Sequence, residues 1–326
     1  MTAPQHVDAG QGIPGRRPLR SRPPGRRRSR VVLTTLAVLV VVLGVDAAVL
    51  AGRLDRVDVD VSGGPGDADG RTWVLIGLDS RTDLPAGATS GAFGTPQDVP
   101  GSRADVIVVV HQTDAGSTAL SVPRDVVVRT DRRPGRLALS WLRGPQATVE
   151  ALCRLGIPTD HLVTVDLRGF AAVVDAAGGL DVDVPEPVRD QFAGLELAHA
   201  GRQRVDGATA LALVRSRHPE HLVDATWTPA PVDPDGRATA AGSVLSALMA
   251  QVRTTPLRLQ SVAWAATGAL ATDPGTSVGE LSSLARTELA DLRVLPVGEP
   301  VGGTVARLPT ADTEAAVAAA GLSCSA

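Results

Sequence analysis

The chain has 326 residues, a formal net charge of −3 and 44% hydrophobic residues, which is ample for a core and unlike a disordered chain. Aromatics make up 2% with no Tyr, so the core is read as Val, Leu and Ala, and stacking platforms for single-stranded nucleic acid are not expected. Every basic residue is Arg; eight stand in the first thirty residues against one acid, Asp8, so the remainder is acidic and argues against nucleic acid as a partner.

Residues 1–30 mix Pro, Gly and Arg without apolar periodicity and read as a disordered, basic, cytoplasmic arm. Residues 31–52 form an apolar run with one charge, Asp46, long enough to cross the ~30 Å hydrocarbon core of a membrane as a helix. A cleavable signal peptide is the alternative, given small residues at 48–52, although the run exceeds a usual signal core. The arginines before the run place the N-terminus in the cytoplasm and the rest outside, as a single-pass protein of the cell membrane. Residues 53–71 read as a linker, and residues 72–326 as one extracytoplasmic domain.

Within that domain residues 73–78 form a short buried strand ending in Asp79-Ser80-Arg81. Residues 82–102 make a loop long enough to be a functional rim or a flap. Residues 106–110 and 118–122 are β-rich runs around the turn-forming stretch 113–117, which predicts a hairpin. An antiparallel pairing sets the start of one strand beside the end of the other, so Arg103 and Asp105 meet Arg124 and Asp125. Two guanidinium forks and two carboxylates at one sheet edge suit a phosphate with a divalent cation. Surface salt bridges are the bland alternative.

Pro145 and Gly156 bracket a helix over 146–155, followed by a strand over 161–167, a helix over 169–177 and a strand over 181–184. Asp206 caps a helix from Gly207 that carries Arg215 and Arg217 at its end, where cations also suit the helix dipole. A polar, Pro-rich segment runs to Asp235, then a helix over 236–252 bears Arg237. Elements near 256–270, 278–289 and 292–297 complete the domain. The alternation predicts an α/β fold with helices on both faces of a sheet. Cys153 and Cys324 either pair on the oxidising side or remain free thiols. His161, His199 and His221 read as ordinary histidines, and no zinc spacing is present.

The blocks GLDSR, RADVIVVVH, SVPRD, GFAAVVDAAGGLDVDVP, VDGATALALVRSRH and DGR, in this order over residues 73–253, resemble the LytR-CpsA-Psr family. The resemblance implies a three-layer α/β/α sandwich with a mixed central sheet. It further implies an extracytoplasmic phosphotransferase that moves a glycopolymer from a polyprenyl pyrophosphate carrier to peptidoglycan, with pyrophosphate hydrolysis as a side reaction. Carried over by residue, Arg103, Arg124, Arg215 and Arg217 hold the pyrophosphate, Asp79 and Asp105 place Mg²⁺ or Mn²⁺, and Arg81, Asp125 and Arg237 support the site. His218 lies beside it, and Asp105 or Asp125 takes the proton of the acceptor hydroxyl. Two stretches depart from the family pattern. Ala238-Thr239-Ala240-Ala241 stands where an Arg and Gln are usual, and Leu137-Ala138 stands where an Asn is usual. A non-catalytic envelope protein that binds polyprenyl phosphate or polymer is therefore the rival expectation.

Overall fold

Residues 25–61, 70–81, 84, 97, 100–129, 134–231, 233, 235–254, 256–289 and 292–324 are described by a computed structural model. They divide into two units, Met1–Asp46 and Ala47–Ala326. The first holds most of helix α1 (Gly25–Arg53), whose stretch Val31–Arg53 has a mean hydropathy of 2.5 and is long and apolar enough to cross a membrane. The helix starts at Gly25, so residues 25–30 of the expected disordered arm are helical. Arginine is a good helix former, and the apolar run has already met the cost of nucleation. Residues 1–24 lie outside the described residues.

The expected linker over 53–71 is partly ordered. Strand β1 (Asp55–Arg56) joins the main sheet, and Val59 is buried in the core with Val57 and Val61 packed beside it. The Arg56 guanidinium fastens the segment by donating to Thr272 Oγ1 at 2.8 Å, Asp273 O at 2.9 Å and Thr276 O at 2.6 Å. Residues 62–69 and most of the long loop at 82–102 lie outside the described residues.

Strands β2 (Arg71–Leu78), β3 (Ala104–Thr113) and β4 (Gly116–Ser121) form the antiparallel centre of the domain. Their β-branched runs leave both faces apolar, so the sheet needs a helical layer on each side. Val74, Ile76, Ile107 and Val109 face one layer, built from α2 (Pro145–Cys153) and, near the C-terminus, the helix Ala311–Ala319. Trp73, Val108 and Val110 face the other, where Met249 and Leu284 pack. A short ribbon, β5 (Val127–Arg129) with β6 (Pro134–Arg136), and a 3-10 turn (Leu137–Arg143) follow the hairpin. Parallel to β2 runs β7 (His161–Asp166), which leads directly into α3 (Leu167–Ala176).

Gly178 and Gly179 end α3 with φ of +86° and +85°, a conformation glycine adopts without strain. Then β8 (Leu180–Val184), β9 (Val188–Asp190), β10 (Leu195–Leu197) and β11 (Gly201–Val205) lead to α4 (Gly207–Arg215), capped by Asp206, whose side chain accepts from Thr209 N. Gly207 lets α4 lie against α3, since a Cβ there would stand 2.2 Å from Ala171 O. The hairpin β12 (Glu220–Val223) and β13 (Thr226–Pro229) completes a small sheet of order β10-β9-β12-β13. The Pro-rich segment read as polar coil thus contains two strands. Runs of three or four residues carry too little periodicity to announce themselves.

Helices α5 (Gly236–Thr254), α6 (Leu259–Thr267) and α7 (Val278–Arg286), strands β14 (Leu270–Thr272) and β15 (Leu292–Val294), and α8 (the helix Ala311–Ala319) finish the domain. The main sheet runs β1-β14-β7-β2-β3-β4-β15, with parallel and antiparallel neighbours, and is the mixed α/β/α sandwich expected. Cys153 and Cys324 form a disulfide that ties the tail beyond α8 to the end of α2.

Candidate functional site

Strand β2 ends in an irregular pairing at Gly77 and Leu78, after which the Asp79 N–H donates to Arg103 O at 2.9 Å. This sets Asp79 at the edge where Asp105 opens β3. From the far end of the hairpin Arg124 reaches back to Asp105 in a close ion pair, the juxtaposition that antiparallel pairing predicts. Arg217 approaches the other Asp105 oxygen at 3.6 Å, and Arg81 bonds Asp79 at 2.9 Å.

Behind this row lies Asp125, buried and shared by three arginines: Arg136 at 2.9 Å, Arg237 at 3.2 Å and Arg124 at 3.6 Å. Helix α5 is held there because Ser121 Oγ donates to Ala238 O at 2.8 Å, which presents Arg237 to the cluster. Arg307, itself buried, donates to Gly298 O and Val297 O, pairs with Asp235 at the entry to α5, and exchanges backbone bonds around Asp125. Among the sequence expectations Arg103 departs most. It lends its carbonyl to Asp79, and among the described residues its side chain neither pairs with a carboxylate nor lines the cavity.

The cavity is about 1150 Å³. Asp79, Arg81, Asp105, Arg215, Arg217 and Arg237 form its polar end, with His218 beside them. The remainder runs between the sheet and helices α3 to α7 and is lined mainly by Val, Leu, Ala, Phe and Met, with Arg253, Gln260, Ser282 and Arg286 also on the wall. One end suits an anion and the rest suits hydrocarbon.

Electrostatics agree with an anion-binding end. Burial, then the neighbouring Asp105, push the Asp79 carboxyl above its ordinary value, against the pull of Arg81, Arg215 and Arg217. Burial, then Arg124 and Arg217, bring the Arg237 guanidinium down to about 10; burial likewise lowers Arg215, with Asp79 opposing. Nε and Nη1 of Arg81 are buried without a hydrogen-bond acceptor among the described residues. Buried donors in that state are what phosphate oxygens satisfy. Among the described residues no three His, Cys, Asp or Glu side chains gather as a metal cage. The pair Asp79 and Asp105 nevertheless fits a cation that takes one or two carboxylates and completes its shell with phosphate oxygens and water.

The whole chain can be set against known proteins. A model of the LytR_cpsA_psr family matches residues 52–291. The chain belongs to that family. Probable cell wall biosynthesis protein LcpB of Corynebacterium glutamicum is 33% identical over 210 residues, 59% of this chain and 50% of LcpB. TagV of Bacillus subtilis, a polyisoprenyl-teichoic acid–peptidoglycan teichoic acid transferase, is 33% identical over 127 residues, 35% of this chain and 32% of its own. The match thus spans half or less of each of these relatives' own length. A solved LytR-Csp2A-Psr enzyme from Actinomyces oris superposes with a TM-score of 0.68 at 35% identity, covering 83% of this chain and 97% of that one. As a LytR_cpsA_psr domain the chain carries its arginines on β2, β4, α4 and α5 or just beyond their ends, so the site exists only when four separate elements converge.

Sequence reading missed Asp190, Arg136, Asp235 and Arg307 as parts of this site. Asp190 stands in VRDQF with no neighbouring motif, and Arg307 lies beyond the family match, so neither carries a local signal.

Proposed function

We propose that this protein is a membrane-anchored phosphotransferase that moves a glycopolymer from a polyprenyl pyrophosphate carrier onto peptidoglycan at the outer side of the cell membrane. The observation that carries this reading is the join of an arginine-lined mouth to a long apolar cavity. A ligand that satisfies both ends has an anionic head and a hydrocarbon tail. The names of TagV and LcpB, and the structural likeness to the Actinomyces oris enzyme, support the same chemistry. The eight N-terminal arginines and the Cys153–Cys324 disulfide both support a cytoplasmic N-terminus and an oxidising exterior for the domain.

In this reading the acceptor hydroxyl oxygen attacks the polymer-bearing phosphorus, the bond from that phosphorus to the bridging oxygen breaks, and polyprenyl monophosphate leaves. Water in place of the hydroxyl gives the hydrolytic side reaction. Arg81, Arg215, Arg217 and Arg237 hold the pyrophosphate and neutralise charge moving to the bridging oxygen. Arg124 keeps Asp105 in place. Asp105, on the cavity wall, takes the hydroxyl proton, whereas Asp125 is enclosed by three arginines and positions them instead. Asp79 and Asp105 would hold Mg²⁺ or Mn²⁺, which would further neutralise the phosphate oxygens.

The test is turnover by the full-length protein in lipid nanodiscs with a synthetic polyprenyl pyrophosphate-linked oligosaccharide, peptidoglycan fragments and Mg²⁺. Polyprenyl monophosphate and a phosphodiester product should appear, and Arg215→Ala should abolish both. Tight donor binding without turnover would establish the rival, a binding protein. That second reading is favoured by Ala241, which lines the cavity one helical turn beyond Arg237 and offers no donor there.

A further inference from the structure

One surface outside the arginine site stands out. The turn Pro256–Arg258 and helix α6 expose three large apolar side chains, Leu257 at 98%, Leu259 at 50% and Trp264 at 48%. No acidic residue occurs from 253 to 267, while Arg253 precedes the apolar positions and Arg258 stands between Leu257 and Leu259. A soluble domain rarely leaves a full Leu, a Leu and a Trp bare on one short segment unless something covers them.

The position of this segment identifies the cover. Arg53, the last residue of the apolar span, lies over the Trp264 ring, its guanidinium carbon 3.9 Å from the ring centroid, and donates to Trp264 O at 3.4 Å. Trp264 is therefore within one side chain's reach of the point where the chain leaves the hydrocarbon. Leu50, three residues earlier, is buried and lines the cavity together with Leu259, Val262 and Ala263 of α6. Helix α6 is thus a thin wall with its inner face on the cavity and its outer face bare.

We infer that the segment Pro256–Thr267 is an interfacial element that lies in the membrane leaflet at the Arg53 end of the span, with Trp264 and Leu257 among the acyl chains and Arg53, Arg253 and Arg258 at anionic headgroups. The composition fits that occupant: tryptophan is favoured at the boundary of hydrocarbon and water, where its ring is apolar and its N–H remains wet, and arginines attract anionic lipid. Leu259, half exposed and on the cavity wall, then marks where the apolar cavity opens towards the leaflet, so a lipid tail would enter without crossing water. The contact follows from the patch and its tie to Arg53, and it stands whether the domain transfers a polymer or only binds one.

The experiment uses the full chain in nanodiscs of phosphatidylcholine and phosphatidylglycerol whose acyl chains carry bromine near the headgroup. Bromine should quench a component of tryptophan emission, and that component should disappear in Trp264→Phe, where Trp73, Trp141 and Trp227 still report the fold. Leu257→Glu, which alters only an exposed side chain, should reduce the quenching with Trp264 in place. Emission unaffected by brominated lipid, or quenched equally in wild type and Trp264→Phe, overturns the inference. So does a dimer in nanodiscs whose Trp264 is shielded from aqueous acrylamide while remaining insensitive to bromine, since a second copy would then be the cover.

Discussion

The buried Asp190 carboxylate accepts the backbone N–H of Arg217 at 2.8 Å, and the same oxygen takes the His218 N–H at 2.8 Å and the Ser216 hydroxyl at 2.9 Å. Its other oxygen holds Phe192 N at 3.0 Å and Ala193 N at 3.2 Å. A single carboxylate on β9 therefore fixes the turn that aims Arg215 and Arg217 into the cavity.

Removing that carboxylate should loosen the arginines. Asp190→Ala leaves several buried donors unpaired and should cost roughly 2 to 4 kcal/mol of stability, read from urea unfolding. Burial alone would raise the Asp190 value, but the N–H groups of His218 and Arg217 and the Ser216 hydroxyl hold it below its ordinary 3.8. A depressed folded value means the stabilisation is complete above the unfolded value of 3.8 and is lost as pH falls through the folded one. The gap between wild type and Asp190→Asn should thus close in that acid range and remain constant at neutral pH.

Asp79 carries the opposite sign. With its folded value raised by burial and by Asp105, the ionised carboxylate is disfavoured in the native state, so its contribution falls as pH rises through the interval above 3.8. Asp79→Asn should melt at the same or a higher temperature than wild type in the absence of ligand. The rise in melting temperature that Mg²⁺ produces with pyrophosphate should be lost in this variant; an unchanged Mg²⁺ response would remove Asp79 from the metal site.

Inorganic pyrophosphate alone should raise the melting temperature of the domain, because it offsets the burial, and after it the Arg124 and Arg217 charges, that lower Arg237, and satisfies the Arg81 donors that have no acceptor among the described residues. Calorimetry should find binding weakened by about 1.5 to 3 kcal/mol in Arg81→Ala and Arg215→Ala. Lysine at either position should recover only part, since it offers a point charge in place of a fork.

Cys153 and Cys324 are separated by 171 residues. Closing so long a loop restricts the unfolded chain, so replacing both with Ser should lower stability by roughly 3 to 5 kcal/mol. Denaturation of the double variant beside the wild type, the latter with and without reductant, measures it; equal stability of the two would show that α8 holds without its covalent tie.

The hairpin was legible because an unbroken Val run, a turn and a strand-ending Pro are all local, and antiparallel geometry then forces Arg124 onto Asp105. Helix α4 was legible through its Asp206 cap, and the span through its length and lack of charge. Arg103 was placed beside the site by the same geometry and its carbonyl accepts from Asp79 N, but among the described residues its side chain pairs with no carboxylate: a strand's register determines where a backbone lies but leaves the side chain a choice of directions.

Composition and pattern by themselves determined the length of the apolar helix, the two-faced sheet and the identity of the charged groups near its edge, because each depends on residues adjacent in the chain or one hairpin apart. Tertiary structure decided which charges act together. Asp125 gathers arginines from beyond the end of β4, from β6 and from α5, Asp190 ties a strand to the turn after α4, and Arg307 reaches from beyond residue 291 to the foot of α5. It also decided that Arg53 meets Trp264. These pairings join residues far apart in sequence, and their Coulomb and hydrogen-bond energies exist only at separations of a few ångströms, which folding alone brings about.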